Sequence, residues 1–180
     1  QIAACQKGAN ELRAMVEQFG LDTVRAYMGH VRANAAACVQ RAIDRLQSGS
    51  FVYPHDNGSE IHVRIDIDRE ARRAHVDFSG TSPQQPWNFN APAAVTRAAV
   101  LYVFRPLVAD NVPMNQGYLE PVNITIPPGS ILNPVWPAAV CAGNVETSQW
   151  VTDSLYGALG VLAAAQGTMN NFTFGNERYQ

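Results

Sequence analysis

The hydrophobic period of this chain changes sharply between Leu46 and Ile61, and that change limits what it can fold into. Up to Leu46 apolar residues recur every three to four positions; from Ile61 they recur every two. Ile61, Val63, Ile65 and Ile67 alternate with His62, Arg64 and Asp66. After a charged turn, Val76 and Phe78 alternate with His75 and Asp77. Successive side chains of a strand point to opposite faces, so this pattern predicts a β-hairpin with one buried face. Ahead of it, Ile2, Cys5, Ala9, Leu12, Val16 and Phe19 predict a helix over 2–19. Gly20 can take the left-handed conformation that ends a helix. Asp22 is placed to cap a second helix from Thr23 to Leu46, whose stripe runs through Val24, Tyr27, Met28, Val31, Ala35, Cys38, Val39 and Ala42. The two helices are expected to form an antiparallel hairpin over 2–46.

Downstream, turn residues divide the chain. Ser48-Gly49-Ser50 breaks the second helix, and Asp56-Asn57-Gly58-Ser59 is a turn. Residues 79–92, 108–121 and the stretch up to Gly143-Asn144 read as loops. Between them lie a buried helix from Ala93 to Leu107 and a short strand, Val122 to Ile126, ended by Pro127-Pro128-Gly129. Thr147 or Ser148 can cap a last helix reaching about Ala165, inside which Gly157 and Gly160 read as close-packing positions. Segregated helices with an antiparallel hairpin make the fold class α+β, with a helical hairpin and a mixed α/β remainder over 51–180.

Composition narrows the function. The chain has 180 residues, 47% hydrophobic and 16% charged, with a formal net charge of −2. That suits one domain. It leaves no basic footprint for nucleic acid. The low charge content fits a surface partly covered by a partner, and a homo-oligomer is expected. The apolar windows near 93–104 and 154–165 fall short of the roughly 20 residues needed to span a bilayer. No signal-peptide pattern is visible. Cys5, Cys38 and Cys141 form no Cys-x-x-Cys pair, which fits a reducing, cytoplasmic setting. The chain starts with Gln1 inside a helical pattern and stops after an extended one, so we expect an internal piece of a longer protein.

Several groups carry possible chemistry. His62, Asp66, His75 and Asp77 share one face of the hairpin and are metal-ligand types. Alternation alone produces such faces as cross-strand charge pairs, and no metal ligand is assigned. His30 lies mid-helix without an acidic neighbour one turn away. There is no phosphate-binding glycine loop and no Gly-x-Ser-x-Gly elbow. Cys141, in Val140-Cys141-Ala142-Gly143, is read as a buried small hydrophobe rather than a reactive thiol. The unusual feature is asparagine in loops: Asn88, Asn90, Asn115, Asn144, Asn170 and Asn171 lie beside Gly, Pro or aromatic residues. A neutral amide both donates and accepts, so the set can hold a lactam or carboxylate; each residue alone is equally explained by turn chemistry. These six are the candidate substrate-binding residues, and no catalytic residue is assigned.

Five ordered blocks carry a resemblance. They begin with Asp77-Phe78-Ser79-Gly80-Thr81-Ser82-Pro83, followed by Asn90-Ala91-Pro92, and with Asn115-Gln116-Gly117, then Pro121. The third is Ile126-Pro127-Pro128-Gly129-Ser130-Ile131-Leu132-Asn133-Pro134. Gly143-Asn144-Val145-Glu146-Thr147-Ser148-Gln149 with Asp153, and Gln166-Gly167-Thr168-Met169-Asn170-Asn171-Phe172-Thr173-Phe174-Gly175-Asn176, complete the set. Together they resemble the hydantoinase B/oxoprolinase family, the last two its 5-oxoprolinase branch. The resemblance implies a hydrolase of cyclic amides that opens the 5-oxoproline lactam to glutamate, a step of glutathione metabolism. It implies that ATP and Mg bind outside this piece, on a hydantoinase A-type part, fused or separate, which phosphorylates the amide oxygen while the B-type part completes hydrolysis. The alternatives are an N-methylhydantoinase or acetone-type carboxylase subunit, or a non-catalytic module whose helices mediate association. The piece alone is expected to be inactive.

Overall fold

A computed structural model describes residues 1–170, 172 and 174–179. The described residues form four α-helices and one four-stranded sheet: α1 (Ile2–Phe19), α2 (Leu21–Ile43), β1 (Gly49–Pro54), β2 (Glu60–Asp68), β3 (Arg73–Asp77), α3 (Ala93–Phe104), β4 (Val122–Thr125) and α4 (Ser148–Leu159). The strands lie in the order β1-β2-β3-β4. The first three are antiparallel, and β4 runs parallel to β3.

The period-two segment forms the centre of the sheet. Ile65 faces Val76 and Asp66 faces His75 across β2 and β3. Ile61, Val63, Ile65, Ala74 and Val76 are buried on one face. Against them pack Val39 and Ile43 of α2, Val100 and Phe104 of α3, and Val151 and Leu155 of α4. Each such large apolar side chain, fully buried, contributes about 1.5–3 kcal/mol. The opposite face keeps the polar partners, and they are tied up locally. His62 Nε2 lies 2.9 Å from Glu60 Oε2, His75 Nε2 lies 2.8 Å from Thr125 Oγ1, and Arg64 pairs with Asp66 at 3.0 Å. Among the described residues no group of three or more His, Cys, Asp or Glu converges as a metal site.

Strand β1 is absent from the sequence reading. Phe51, Val52 and Tyr53 are a short run between a glycine-serine breaker and a proline, yet Phe51 pairs with Val63 and Tyr53 with Ile61. Pro54 is tolerated because β1 is an edge strand. Strand and helix meet through two glycines. A Cβ on Gly49 would overlap the Ala158 carbonyl oxygen, and one on Gly157 would sit 2.8 Å from the Phe51 ring. Gly157 is therefore a close-packing position, as expected, whereas Gly160 is not. It takes φ 63 as the left-handed cap that ends α4, six residues short of the expected Ala165. Thr147 holds the N-cap position of that helix, as expected, but makes no side-chain cap bond, because a π-type turn, Gly143–Thr147, runs straight into it. Asp22 likewise lies inside the first turn of α2, where its charge complements the helix dipole, rather than at the cap.

Helices α1 and α2 are joined through Gly20 alone (φ 84), and no residue of α1 is buried. Met15 and Phe19 instead line an open apolar groove of about 790 Å³ with Val24, Tyr27, Met28 and Val31. No helix is long and apolar enough to cross a membrane among the described residues.

Candidate functional site

Two loops and two helices build the candidate site, and Asn90 locks the loops. Its side chain is fully buried. Its Oδ1 accepts from the Gln85 N–H (2.8 Å), and its Nδ2 donates toward the carbonyls of Gln85 (2.9 Å), Trp87 (2.8 Å) and Ala139 (2.8 Å). The loop before α3 is thereby tied to the loop before α4. Three further contacts seal the junction. The Ala142 N–H donates to the Asn88 carbonyl at 2.9 Å, and the Thr147 hydroxyl donates to the Phe89 carbonyl. Gly143 approaches the Asn90 carbonyl too closely for any Cβ. Asn144 follows at once, exposed at the head of α4.

The cleft lies where α3 faces α4. It holds about 540 Å³ and is lined by Val95, Ala98, Ala99 and Tyr102 of α3, by Asn144, by Ser148, Gln149, Thr152, Asp153 and Tyr156 of α4, and by Leu162, Ala163 and Ala165. The segment after Gly160 folds back over α4 at three points. The Ala165 N–H donates to Asp153 Oδ1 (3.0 Å) and the Thr168 hydroxyl donates to Glu146 Oε1 (3.0 Å), while Gly167 rests against Tyr53 and Trp150. Asp153 is 5% exposed, and among the described residues its Oδ2 has no hydrogen-bond partner. Burial, then the neighbouring Tyr102 and Asp153, push the Tyr156 phenol up; burial, then Asp153 and Asp56, do the same to Tyr53. No Lys or Arg lines the cleft among the described residues.

An aromatic nest adjoins it. The His55 ring lies 4.2 Å from Trp150, which also meets Phe89 at 5.5 Å. His55 Nδ1 is bonded to Ser59 Oγ at 2.8 Å, and among the described residues the buried Nε2 has no partner. Burial holds its pKa below the ordinary value, only partly opposed by Asp56.

The six asparagines are thus divided by the fold. Asn88, Asn90 and Asn144 belong to one loop junction, with Asn90 engaged by the backbone and Asn144 lining the cleft. Asn115 lies elsewhere, beside α2, capping the short turn Gln116–Leu119 through the Gly117 N–H (2.8 Å) and donating to the Pro113 carbonyl (2.8 Å). Asn170 is exposed at φ 60, its amide 3.4 Å from Gln166 Oε1. Asn171 lies outside the described residues. Cys141 is exposed, contrary to the sequence reading, because it sits in the loop over the junction rather than under it. Asp153 and Gln149 had no assigned role in the sequence reading. The signal was available: Gln149, Thr152, Asp153 and Tyr156 fall at i, i+3, i+4 and i+7, a polar stripe on an otherwise apolar helix.

The family model for hydantoinase B/oxoprolinase matches residues 1–180. The chain belongs to the hydantoinase B/oxoprolinase family. It is 45% identical over 195 residues to 5-oxoprolinase 1 of Arabidopsis thaliana, covering 99% of this chain and 15% of that protein. It is 41% identical to the 5-oxoprolinase of Dictyostelium discoideum, covering 98% and 15%. The chain therefore spans about 15% of the length of these relatives. Among solved structures, the ATP-dependent caprolactamase from Pseudomonas jessenii shares the fold with a TM-score of 0.74 at 22% identity, over 88% of this chain and 29% of that one. An acetone carboxylase does so with a TM-score of 0.66 at 15% identity, over 82% and 22%.

Proposed function

We propose that this chain is an internal segment of an ATP-dependent 5-oxoprolinase and forms part of the site that holds the 5-oxoproline ring during its opening to glutamate. The observation that carries the reading is the 45% identity to a 5-oxoprolinase across 99% of the chain. The cleft adds chemical support: a small-residue floor under Asn144, Gln149, Asp153 and Tyr156 suits a compact ring with a neutral amide better than a nucleotide. The cleft does not fit ATP or Mg, since no Lys or Arg among the described residues would meet a triphosphate and one carboxyl does not make a magnesium site. Both are assigned to a hydantoinase A-type part outside these residues, and the segment alone is inactive. Asn144 is assigned to the ring or its carboxylate, with Asn88 and Asn170 at the periphery and Asn90 and Asn115 holding the loops; Asn171 stays a candidate from its sequence alone. The apolar groove along α1 and α2 is assigned to association with the rest of the enzyme or a second copy, in the cytoplasm.

The test is an assay of the full-length protein for 5-oxoproline-dependent ATP hydrolysis with release of glutamate, run beside hydantoins and acetone. Coupled turnover of 5-oxoproline supports the reading; turnover of a hydantoin or of acetone alone overturns it. Asn144→Ala should lower kcat/KM for 5-oxoproline about tenfold, the worth of one hydrogen bond, without lowering Tm. Unchanged kinetics would remove Asn144 from the site.

A further inference from the structure

Residues 161–168 form no helix or strand, and among the described residues none of their backbone groups bonds to the backbone of another element. Two carboxylates hold them instead. Asp153 Oδ1 accepts the Ala165 N–H at 3.0 Å, and Glu146 Oε1 accepts the Thr168 hydroxyl at 3.0 Å. Both donors are neutral, so neither contact is an ion pair. The two ends differ. Gly160, at φ 63, has open space where a Cβ would sit, whereas Gly167, at φ 69, is wedged against the Tyr53 hydroxyl and the Trp150 ring. One end can therefore turn while the other is pinned. The stretch between is apolar where water meets it. Val161, Leu162, Ala163, Ala164 and Ala165 follow one another without a polar side chain, and Val161 is 41% and Leu162 61% exposed. Taking such surface out of water is favourable. The neighbouring cleft offers the place, because Leu162, Ala163 and Ala165 already line it. Its volume of about 540 Å³ is that of a site for a drug-sized ligand, so a five-membered ring leaves space for the stretch to take up.

We propose that residues 161–166 are a strap that closes over a ring held in the α3–α4 cleft, with Leu162 as the covering side chain. The proposal rests on the 5-oxoproline reading given above. Asp153 and Glu146 are positioning residues: they hold the strap in register through Ala165 and Thr168 and do not touch the ring. Closure buries Leu162 and keeps bulk water from the bound ring, which is what a lid contributes to a hydrolytic site.

The experiment uses the full-length protein and two readouts. Elastase cuts after small apolar residues, and its cleavage within 161–166 is followed by mass spectrometry, with a non-hydrolysable ATP analogue alone and with the analogue plus 5-oxoproline. Steady-state kinetics of ATP-dependent 5-oxoproline hydrolysis are measured beside it. Saturating 5-oxoproline should slow the cleavage about tenfold, since cleavage follows the open population. Leu162→Ala should raise KM about tenfold with little change in kcat, the worth of burying one leucine side chain, and should leave Tm unchanged because Leu162 is exposed when the strap is open. Leu162→Met should restore KM. Thr168→Val should speed cleavage of the unliganded protein about fivefold, the loss of one hydrogen bond.

Cleavage unaffected by 5-oxoproline overturns the proposal without recourse to any variant. Unchanged kinetics in Leu162→Ala also overturn it. A lowered Tm with KM unchanged, in Leu162→Ala or Thr168→Val, assigns the stretch to packing alone and overturns it as well. Turnover of 5-oxoproline by wild type separates the two levels. If it is present while the strap fails these tests, only the strap falls; if it is absent, the 5-oxoproline reading falls and takes the strap with it.

Discussion

Replacing Asn90 tests whether the loop junction is a designed clamp or an incidental contact. The amide accepts one hydrogen bond and has two hydrogens to share among three carbonyls, all at 2.8–2.9 Å and without exposure to water. At about 1 kcal/mol per bond, Asn90→Ala loses about 3 kcal/mol; Trp87 and Ala139 are exposed residues, so water can meet their carbonyls and the cost does not climb much further. Asn90→Asp keeps the size and the bond from Gln85 N–H, but sets an oxygen against three carbonyl oxygens. That oxygen must carry a proton to stay there, which raises the folded-state pKa above the unfolded value of about 3.9. The folded state then binds more protons than the unfolded state above that value, so the variant loses stability as pH rises through the window. Urea denaturation at pH 7 and pH 5 reads both effects: Asn90→Ala should be about equally damaged at both, and Asn90→Asp less damaged at pH 5. A cost below about 1 kcal/mol for Asn90→Ala, or a pH-independent Asn90→Asp, would refute the clamp.

Two further outcomes follow from packing and titration. Gly49→Ala should cost at least ~2–3 kcal/mol, because the added methyl meets backbone at Ala158, whereas Gly157→Ala should cost about 1 kcal/mol, because the Phe51 ring can rotate aside; thermal denaturation of the pair orders them, and a reversed order would refute the argument. His55 is held neutral by burial, with its pKa lowered from 6.5. Between that value and the lower folded one the unfolded state binds the extra proton, so stability is lost as pH falls below about 6.5. The denaturation midpoint should drop from pH 7.5 to pH 5.5, and drop less in His55→Gln; an equal drop in both would remove His55 from the account.

Much of this architecture was legible because periodicity reports burial directly. The alternation from Ile61 to Phe78 is the β2–β3 pairing, and the part of the stripe from Ala35 to Ala42 lies on the face of α2 that packs on the core. What escaped was set by tertiary contact. Phe51-Val52-Tyr53 is too short to show a period and becomes a strand only by pairing with Ile61 and Val63. Gly160 resembles Gly157 in sequence; only the backbone shows that one ends the helix and the other admits a phenyl ring. The asparagines were legible as a set but not individually, since an amide that grips three carbonyls and one that faces a cleft are the same residue type. Asp153 was visible as a polar stripe, but its unmet oxygen depends on Ala165, twelve residues on, folding back over the helix.

The glycine contacts between β1 and α4 also have a mechanical meaning. With Gly49 against the Ala158 carbonyl and Gly157 under the Phe51 ring, the helix meets the sheet edge at two points with no side chain between; the backbone contact at Ala158 resists sliding, while the Phe51 ring can yield. Helix α4 is therefore the fixed jaw of the cleft. Widening to admit a ring is therefore expected at the opposing jaw, α3, or in the 161–165 segment beyond the Gly160 cap, rather than at Asp153 and Gln149.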